Sequence, residues 1–345
     1  MHQSLYRAYR PSSFKEVVGQ EHITDSLAEQ IAGKKIGHAY LFAGSRGLGK
    51  TSIARIFAHE LGTSERDIYE IDAASNNSVD DIRALTENVY TLPFESAYKV
   101  YILDEAHMLS KGAWNAFLKT LEEPPAHVIF ILATTELSKV PETVQSRCQV
   151  YEFRKPTRSV LAKLIADIAK KEGRAIEPAA ADLVAMLGDG SYRDALSVLE
   201  NVFAAAGKTV TRAEAEQATG APKRELVEAL VEALSAGDAD KALAAIRKTE
   251  QQSVDMTLYL SLVLEQVRTI LLVRYAAELR KEIADELGPD AYASVEKIAA
   301  AKDSKLSHRT LKVLLDATER MRFSPVPSLP LELAVFELLG QDGEA

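Results

Sequence analysis

The spacing of apolar and polar residues divides the chain into two patterns. Up to about residue 155, short apolar runs alternate with segments of helical periodicity, which is typical of a parallel sheet covered by helices. Two of the runs, 100–103 and 128–132, are apolar at every position, and this favours central strands buried on both faces. The predicted strands are 39–43, 68–71, 99–104, 128–133 and 149–153.

From Pro156 onward the pattern is helical only. Apolar residues at helical spacing begin at Val160, and this helix is predicted to end at Gly173. A helix is predicted from Tyr192 to about Ala206, and the segment from about 222 onward is again helical and rich in Ala and Leu. We therefore predict an α/β domain over 1–155 and two all-helical domains over 156–220 and 221–345.

One loop of the first domain matches the phosphate-binding pattern G-x-x-x-x-G-K-[ST] at every fixed position. It lies between the predicted strand 39–43 and a helix predicted over 53–61. Its glycines are expected to adopt positive φ, so that successive N–H groups and the helix N-terminus face an anion. The predicted nucleotide-binding residues of this loop are Gly44, Ser45, Arg46, Gly47, Leu48, Gly49, Lys50, Thr51 and Ser52.

Charged and hydroxyl side chains in this domain predict ATP and Mg²⁺ as ligands. Lys50 is expected to reach the β- and γ-phosphates, and the Thr51 hydroxyl to hold Mg²⁺. The strand 99–104 ends in Asp104 and Glu105. Asp104 is expected to hold the metal through water, and Glu105 to polarise the water that attacks the γ-phosphorus. His107 is interpreted as structural.

Three further residues have two interpretations each. Thr135 ends the next strand and could sense the γ-phosphate, but strand ends favour hydroxyls in any case. Arg147 could neutralise charge on the transferring phosphoryl group, although in isolation it is one arginine among many. Arg193 lies in the first turn of a helix that Ser191 caps, where a cation opposes the dipole and suggests an anionic partner, or it is a solvated surface residue.

Composition and charge narrow the class of protein. The net charge of −9 is spread along the 345 residues without a basic block, so that any DNA contact must come from a local arrangement of Lys and Arg. The single cysteine, Cys148, excludes an internal disulfide and a thiolate-rich metal site and is expected to pack in the protein interior.

The N-terminus lacks the apolar run of a secretory signal. The most apolar segment, 258–277, contains charges and predicts an amphipathic helix. We expect a cytoplasmic protein without a membrane partner.

Taken in order, several segments resemble the ATPase subunits of bacterial clamp loaders, the gamma/tau family of DNA polymerase III, and more distantly the small subunits of replication factor C. The match covers essentially the whole chain, and the LEEPP segment and the SRC tripeptide are its most specific parts. The segments that carry the resemblance are Tyr9-Arg10-Pro11, 17–20, 38–42, 70–76, 104–109, 115–125 (NAFLKTLEEPP), 132–135, Ser146-Arg147-Cys148 and 190–196 (GSYRDAL).

The resemblance implies an AAA+ ATPase that works in a pentameric arc with the nucleotide between neighbouring subunits. Lys50, Thr51, Asp104, Glu105, Thr135 and Arg193 would serve the nucleotide of their own chain, whereas Arg147 would reach that of the adjacent subunit. The adenine pocket wall would contain Tyr9, Val17, Val18 and Gln20. Residues 156–220 would form a helical lid and 221–345 the collar that holds the ring together.

The implied partners are delta- and delta-prime-type subunits, a sliding clamp, and primer-template DNA bound without sequence specificity. Nucleotidyl transfer would belong to the partner subunits. The helix predicted over 79–90, with Arg83, and the one near Lys111 could track DNA phosphates or carry solvated charges.

Two departures from the family are visible. The interval 62–68 is too short for the four-cysteine zinc module usual in the bacterial members, so no zinc is expected, and the chain stops after the presumed collar, without the tail of the longer tau form.

Two other hypotheses compete with a clamp-loader ATPase. The second hypothesis is a DNA motor, either a DEAH helicase or a branch-migration motor. A DEAH helicase needs a second α/β lobe, and a branch-migration motor is expected to end in a winged helix with strands, but residues 156–345 show only helical patterns. A scaffold that binds nucleotide without hydrolysis is the third hypothesis, and the presence of Lys50, Glu105 and Arg147 together speaks against it.

Overall fold

The computed structural model describes residues 3–252 and 254–340. The chain forms two compact units. Unit 1 contains the residues up to Leu161 together with Leu187–Ser197, and unit 2 contains Ala162–Met186 and the residues from Val198 onward. The domain limits at 155 and 220 that were drawn from the sequence remain predictions.

Unit 1 is built on a five-stranded parallel sheet in the order β2-β3-β4-β1-β5. All residues of β1 and β4 and nearly all of β3 are buried, whereas β2 and β5 at the edges are partly exposed, as the unbroken apolar runs predicted. Each strand agrees with its prediction to within one residue. The strands are β1 Ala39–Ala43, β2 Ile68–Asp72, β3 Lys99–Asp104, β4 Val128–Thr134 and β5 Gln149–Glu152.

Helices cover both faces of this sheet, because successive strand residues point to opposite sides. On one face, Tyr40 and Phe42 of β1 pack in a cluster with Ile53 and Phe57, and on the other, Leu41 packs with residues that include Phe117. The helices of this region are α1 Leu5–Ala8, α2 Glu21–Ala32, α3 Lys50–Glu60, α4 Val79–Val89, α5 Lys111–Glu122 and α6 Glu142–Gln145.

Most of the remaining chain is helical. α13 forms part of the main core of unit 2, with Tyr259, Leu260, Val263 and Ile270 buried. By length and composition α13 could cross a membrane, but half of its most apolar stretch is buried inside the protein, as in a core helix. The helices are α7 Arg158–Lys171, α8 Pro178–Leu187, α9 Tyr192–Ala205, α10 Arg212–Thr219, α11 Arg224–Ala236, α12 Ala239–Gln251, α13 Met256–Tyr275, α14 Arg280–Leu287, α15 Pro289–Ala300, α16 His308–Met321 and α17 Leu329–Leu339.

The prediction of helices alone over 156–220 missed one short feature. β6 (Ala175–Ile176) and β7 (Thr209–Val210) form a two-stranded parallel pair in unit 2. Two-residue strands are too short to produce an alternating pattern, and their pairing is fixed by backbone bonds such as that from the Ala175 N–H to the Lys208 carbonyl, at 2.9 Å. The fold class, an α/β unit with a parallel sheet followed by helices, is otherwise confirmed.

Candidate functional site

The loop between β1 and α3 has the backbone that its sequence predicted. Gly44, Gly47 and Gly49 have φ values of +148°, +77° and +93°, and α3 begins at Lys50. The Lys50 Nζ donates hydrogen bonds to the carbonyl oxygens of Gly44, at 2.7 Å, and Ser45, at 2.9 Å. Burial lowers the pKa of Lys50, and the nearby Glu105 and Asp104 act in the opposite direction. A partly desolvated cation therefore lies inside a loop of backbone N–H groups.

The other side chains of the loop divide into buried and accessible ones. Leu48 is buried in the core beneath the loop, whereas Arg46 is exposed. Ser52, in the first turn of α3, accepts a hydrogen bond at 2.9 Å from the Arg10 Nε. The Leu48 side chain therefore anchors the loop by packing.

Thr51 and Asp104 come from different elements and meet beside this loop. The Thr51 Oγ1 donates to the Asp104 Oδ2 at 2.9 Å, and the Glu105 N–H donates to the Asp104 Oδ1 at 3.0 Å. Oxygen atoms of hydroxyl and carboxylate groups are the ligands that Mg²⁺ prefers. The donor set at the carboxyl end of β3 therefore suits the metal that the sequence predicted there.

Glu105 is held in an unusual conformation next to that pair. Its φ of +48° lies in the left-handed region, which is uncommon for residues other than glycine and is concentrated at functional sites. The Thr135 Oγ1 donates to the Glu105 Oε2 at 3.1 Å. Thr135, which directly follows β4, therefore contacts the carboxylate that is predicted to act on water.

The start of α9 lies against the phosphate-binding loop. The Tyr192 N–H donates to the Gly47 carbonyl at 3.1 Å, and a Cβ on Gly47 would lie 2.0 Å from the Ser191 Oγ and 3.5 Å from the Arg193 Cβ. Ser191 caps α9, as predicted, by accepting from the Asp194 N–H at 3.2 Å. Arg193 is therefore in the helical turn beside the loop.

The segment predicted to wall the adenine pocket is tied to the same helix. The Val18 carbonyl accepts a hydrogen bond from the Tyr192 Oη at 2.5 Å, Val17 packs on the core cluster of Tyr40, and Tyr9 is half-buried. Gln20 is buried, and its amide pairs with the carbonyl (2.7 Å) and the N–H (3.2 Å) of Arg154. Val17 and Val18 remain available as apolar contacts, whereas the Gln20 side chain anchors the segment.

Arg147 is separate from the other predicted residues. It precedes β5, whose Gln149 is paired with Tyr40 near the start of β1, whereas the phosphate-binding loop follows the end of β1. In a parallel sheet these two positions lie at opposite ends of the strands. The Arg147 guanidinium bonds to the Glu122 Oε1 at 2.5 Å and to the Thr143 carbonyl at 2.6 Å. The geometry gives it no place in the phosphate-binding loop of its own chain.

Sequence comparisons assign the family. Residues 62–157 match the family model described as DNA polymerase III, delta subunit, and residues 210–342 match that of DNA polymerase III subunits gamma and tau domain III. The tau subunit of Bacillus subtilis is 36% identical over 98% of this chain and 63% of its own length. The gamma subunit of Buchnera aphidicola is 30% identical over 98% of both chains. This chain belongs to the DNA polymerase III gamma/tau family.

Structural comparison supports the fold of this gamma/tau family member. The Thermotoga maritima RuvB Holliday junction branch migration motor superposes with a TM-score of 0.54 at 21% identity, over 89% of this chain and 98% of that one. The shared fold is that of AAA+ proteins. The chain spans a little over six-tenths of the length of the B. subtilis tau subunit (63%) and of the Mycobacterium tuberculosis gamma/tau subunit (62%).

Sequence reasoning gave no role to the side chains of Arg10 and Glu122, and it interpreted His107 as structural. Arg10 contacts Ser52, Glu122 holds Arg147, and His107 has its Nδ1 3.5 Å from the Glu105 Oε2. Arg10 had a signal, since it follows Tyr9 in a recognised segment. Glu122 also lies in a recognised segment, LEEPP, but nothing in the sequence pairs it with Arg147, 25 residues away, because their contact depends on how α5 packs beside α6.

Cys148 has the packing role expected of it. It lies against the core cluster that contains Phe117, and burial raises the pKa of its thiol to about 12.

Within residues 3–252 and 254–340, no three His, Cys, Asp or Glu side chains are grouped so that they could hold a metal ion.

Proposed function

We propose that this chain is an ATP-hydrolysing subunit of a DNA polymerase III clamp loader. ATP binding and hydrolysis would drive the loading of a ring-shaped sliding clamp onto primed DNA. Membership of the gamma/tau family supports the biological role. The observation that carries the chemistry is the 2.9 Å contact between Thr51 and Asp104, beside Lys50 and Glu105 at one edge of the sheet.

Nucleotide binding is assigned to the phosphate-binding loop and its surroundings. The backbone N–H groups of the loop and the N-terminus of α3 would bind the phosphates, and Lys50 would exchange its two carbonyl acceptors for β- and γ-phosphate oxygens. Val17 and Val18 would contact the base. Thr51 and Asp104 would hold Mg²⁺, which neutralises charge on the phosphate oxygens when bound.

Hydrolysis is assigned to the neighbouring acids and arginines. Glu105 would accept the proton of the attacking water, and Thr135, which already donates to its Oε2, would fix the carboxylate. Arg193 would neutralise the γ-phosphate from the start of α9. Each of these groups lies at the same edge of the unit 1 sheet, so one bound nucleotide could contact them all.

Arg147 is assigned to the nucleotide of a neighbouring subunit. Its place at the opposite edge of the sheet, paired with Glu122, supports action on a site other than its own. Such a contribution is worth roughly 10³- to 10⁵-fold in rate in related chemistry. The proposed assembly is a pentameric arc with delta- and delta-prime-type subunits, which acts in the cytoplasm on a clamp and on primer-template DNA of any sequence, without zinc.

Hydrolysis measured in a reconstituted mixture tests the proposal. ATP turnover by the chain should rise strongly only when partner subunits, ring clamp and primed DNA are all present. Arg147→Ala should lose that stimulation and keep ATP affinity. Arg224→Ala is the matched control, because both arginine side chains are 34% exposed and paired with a glutamate.

Other outcomes would favour the alternatives. Turnover driven by DNA alone, with branch migration or strand separation and no effect of the clamp, would support a DNA motor with this AAA+ fold. ATP binding without any turnover in the complete mixture would support a scaffold subunit.

A further inference from the structure

His107 lies between two carboxylates close to the proposed hydrolytic site. It belongs to the short turn Ala106–Met108 that follows β3, and its side chain is 7% exposed. Its Nδ1 is 3.1 Å from the Thr134 Oγ1 and 3.5 Å from the Glu105 Oε2, and its Nε2 is 3.5 Å from the Glu136 Oε1. A proton on either ring nitrogen therefore faces an oxygen atom.

The ring is fixed from its far side as well. The Glu136 N–H donates to the Thr134 Oγ1 at 3.0 Å, and the Glu136 Oε1 accepts from the Lys139 Nζ at 2.8 Å. Thr134 itself is buried at the end of β4. The imidazole is thus confined by the same loop that supplies Thr135 and is not free to rotate in solvent.

The consequence for Glu105 is that one of its two oxygens is contacted from two directions. Thr135 donates to Oε2 at 3.1 Å, and the His107 ring approaches the same oxygen at 3.5 Å. With Oε2 held in this way, Oε1 is the atom that can face a water molecule. A carboxylate acts efficiently on water only when its orientation is fixed, since misplacement by about 1 Å can cost 10²-fold in rate.

We propose that His107 is a positioning residue for Glu105. It holds the Oε2 of that carboxylate against Thr135 and links it to the loop that bears Glu136, so that Oε1 is aimed at the attacking water. This inference rests on the proposed ATPase function and adds a residue to it. His107 itself touches neither nucleotide nor water in this scheme.

The test compares three substitutions in the complete reaction of chain, partner subunits, clamp and primed DNA. His107→Phe keeps a planar aromatic ring, although a larger one, and removes both nitrogens. His107→Gln restores one polar group, and Glu136→Gln removes the charge on the far side. His127→Phe is the matched control, because the Nε2 of the His127 ring lies against the backbone carbonyls of Val89 and Thr91 and not against a carboxylate.

The expected result separates turnover from binding. In His107→Phe, kcat should fall roughly 10- to 100-fold, while KM and the dissociation constant for a fluorescent ATP analogue stay within about two-fold. His107→Gln should recover part of kcat, and Glu136→Gln should give a smaller fall in kcat than His107→Phe. In a Glu105→Gln background, His107→Phe should have no further effect, because the residue it positions is already disabled.

Other results would overturn the inference. A kcat within two-fold of wild type in His107→Phe would do so, as would equal losses in ATP affinity and kcat, or a further full loss in the Glu105→Gln background. If His107→Phe does not fold, the Gln variant and Glu136→Gln decide by the same readouts, and unchanged kcat in both overturns the proposal. Normal turnover by Glu105→Gln would instead refute the proposed function itself.

Discussion

At the scale of the residue, the Lys50 side chain is hydrogen-bonded to neutral groups of its own loop. Lys50 is 6% exposed, its ammonium donates to two backbone carbonyls, and burial lowers its pKa. Phosphate oxygens are stronger acceptors for an ammonium than carbonyls, because both partners are then charged. The lysine is therefore prepared to exchange its partners when a nucleotide binds.

Removal of the Lys50 charge should weaken nucleotide binding more than it changes the stability of the fold. For Lys50→Ala we expect MgATP affinity to fall roughly 10- to 200-fold, since a hydrogen bond to a charged group contributes about 1.5–3 kcal/mol. Titration with a fluorescent ATP analogue measures this change, and Lys35→Ala, at an exposed lysine outside the loop, is the control. Equal affinity in Lys50→Ala and wild type would exclude the assigned phosphate contact.

What the sequence could reveal at this scale depends on how far apart two partners are along the chain. The phosphate-binding loop was predictable because its octet fixes the relevant atoms through short covalent spacing and glycine geometry. The contact of His107 with Glu136 spans 29 positions and that of Arg147 with Glu122 spans 25, and both depend on packing between elements. No local pattern encodes such pairs.

At the scale of the element, the first turn of α9 is fitted to the phosphate-binding loop. Gly47 has φ +77° and leaves no room for a side chain, because a Cβ would lie 2.0 Å from the Ser191 Oγ. Gly62 has φ +76° with nothing within 4 Å of the same position. The two glycines therefore share a backbone requirement and differ in their contact with α9.

This difference predicts separate effects of two alanine substitutions. Both Gly47→Ala and Gly62→Ala should lower the free energy of unfolding by about 1 kcal/mol or more through backbone strain. Only Gly47→Ala should also reduce MgATP affinity, since it displaces the turn that carries Arg193. Ser191→Gly in the Gly47→Ala background should restore part of the affinity, and unfolding by urea with nucleotide titration checks each step. The same affinity in both single variants would contradict the fit.

The loop that precedes β3 is held by a buried carboxylate. Asp67 accepts hydrogen bonds from the backbone N–H groups of Phe94 (2.6 Å), Glu95 (3.0 Å) and Ser96 (2.9 Å). Burial alone would raise the pKa of Asp67, but these bonds, with a contribution from the Ser96 side chain, lower it below the ordinary value. The ionised form is therefore stabilised by folding.

A lowered pKa fixes the sign of the pH dependence. The contribution of Asp67 to stability is complete above its unfolded pKa, about 3.9, and is lost as the pH falls through the folded value. Asp67→Asn should lower the free energy of unfolding by about 1.5–3 kcal/mol near pH 7, and this difference from wild type should shrink below about pH 4. Urea denaturation across this range measures it, with the exposed Asp25→Asn as control. If the difference in free energy of unfolding between Asp67→Asn and wild type grows as the pH falls, the prediction is wrong.

Elements were predictable where burial is uniform. β1, β3 and β4 were located from unbroken apolar runs, because strands covered on both faces exclude polar residues. β6 and β7 could not be located, since their position is determined by backbone pairing between segments more than 30 residues apart.

At the scale of the whole molecule, the residues that we assign to hydrolysis lie at opposite ends of the strands of the unit 1 sheet. The phosphate-binding loop lies at the carboxyl edge of the unit 1 sheet, and Arg147 lies at the amino edge, held by Glu122. Subunits that join these two surfaces do so head to tail, since the contact uses a different face on each partner. ATP hydrolysis would then occur at a useful rate only in the assembled complex.

Mixing two inactive variants tests this arrangement directly. Lys50→Ala retains Arg147 and lacks a working loop, whereas Arg147→Ala retains the loop and lacks the arginine, so each alone should hydrolyse little ATP in the complete clamp-loader mixture. When the two are co-assembled in equal amounts, roughly a quarter of the interfaces between copies of the chain should combine an intact loop with an intact arginine and regain turnover. Assembly is verified by sedimentation. A Lys50→Ala/Arg147→Ala double variant mixed with either single variant should regain no turnover, because no interface then combines an intact loop with an intact arginine. If co-assembled variants show only the sum of their separate rates, Arg147 does not act across a subunit interface.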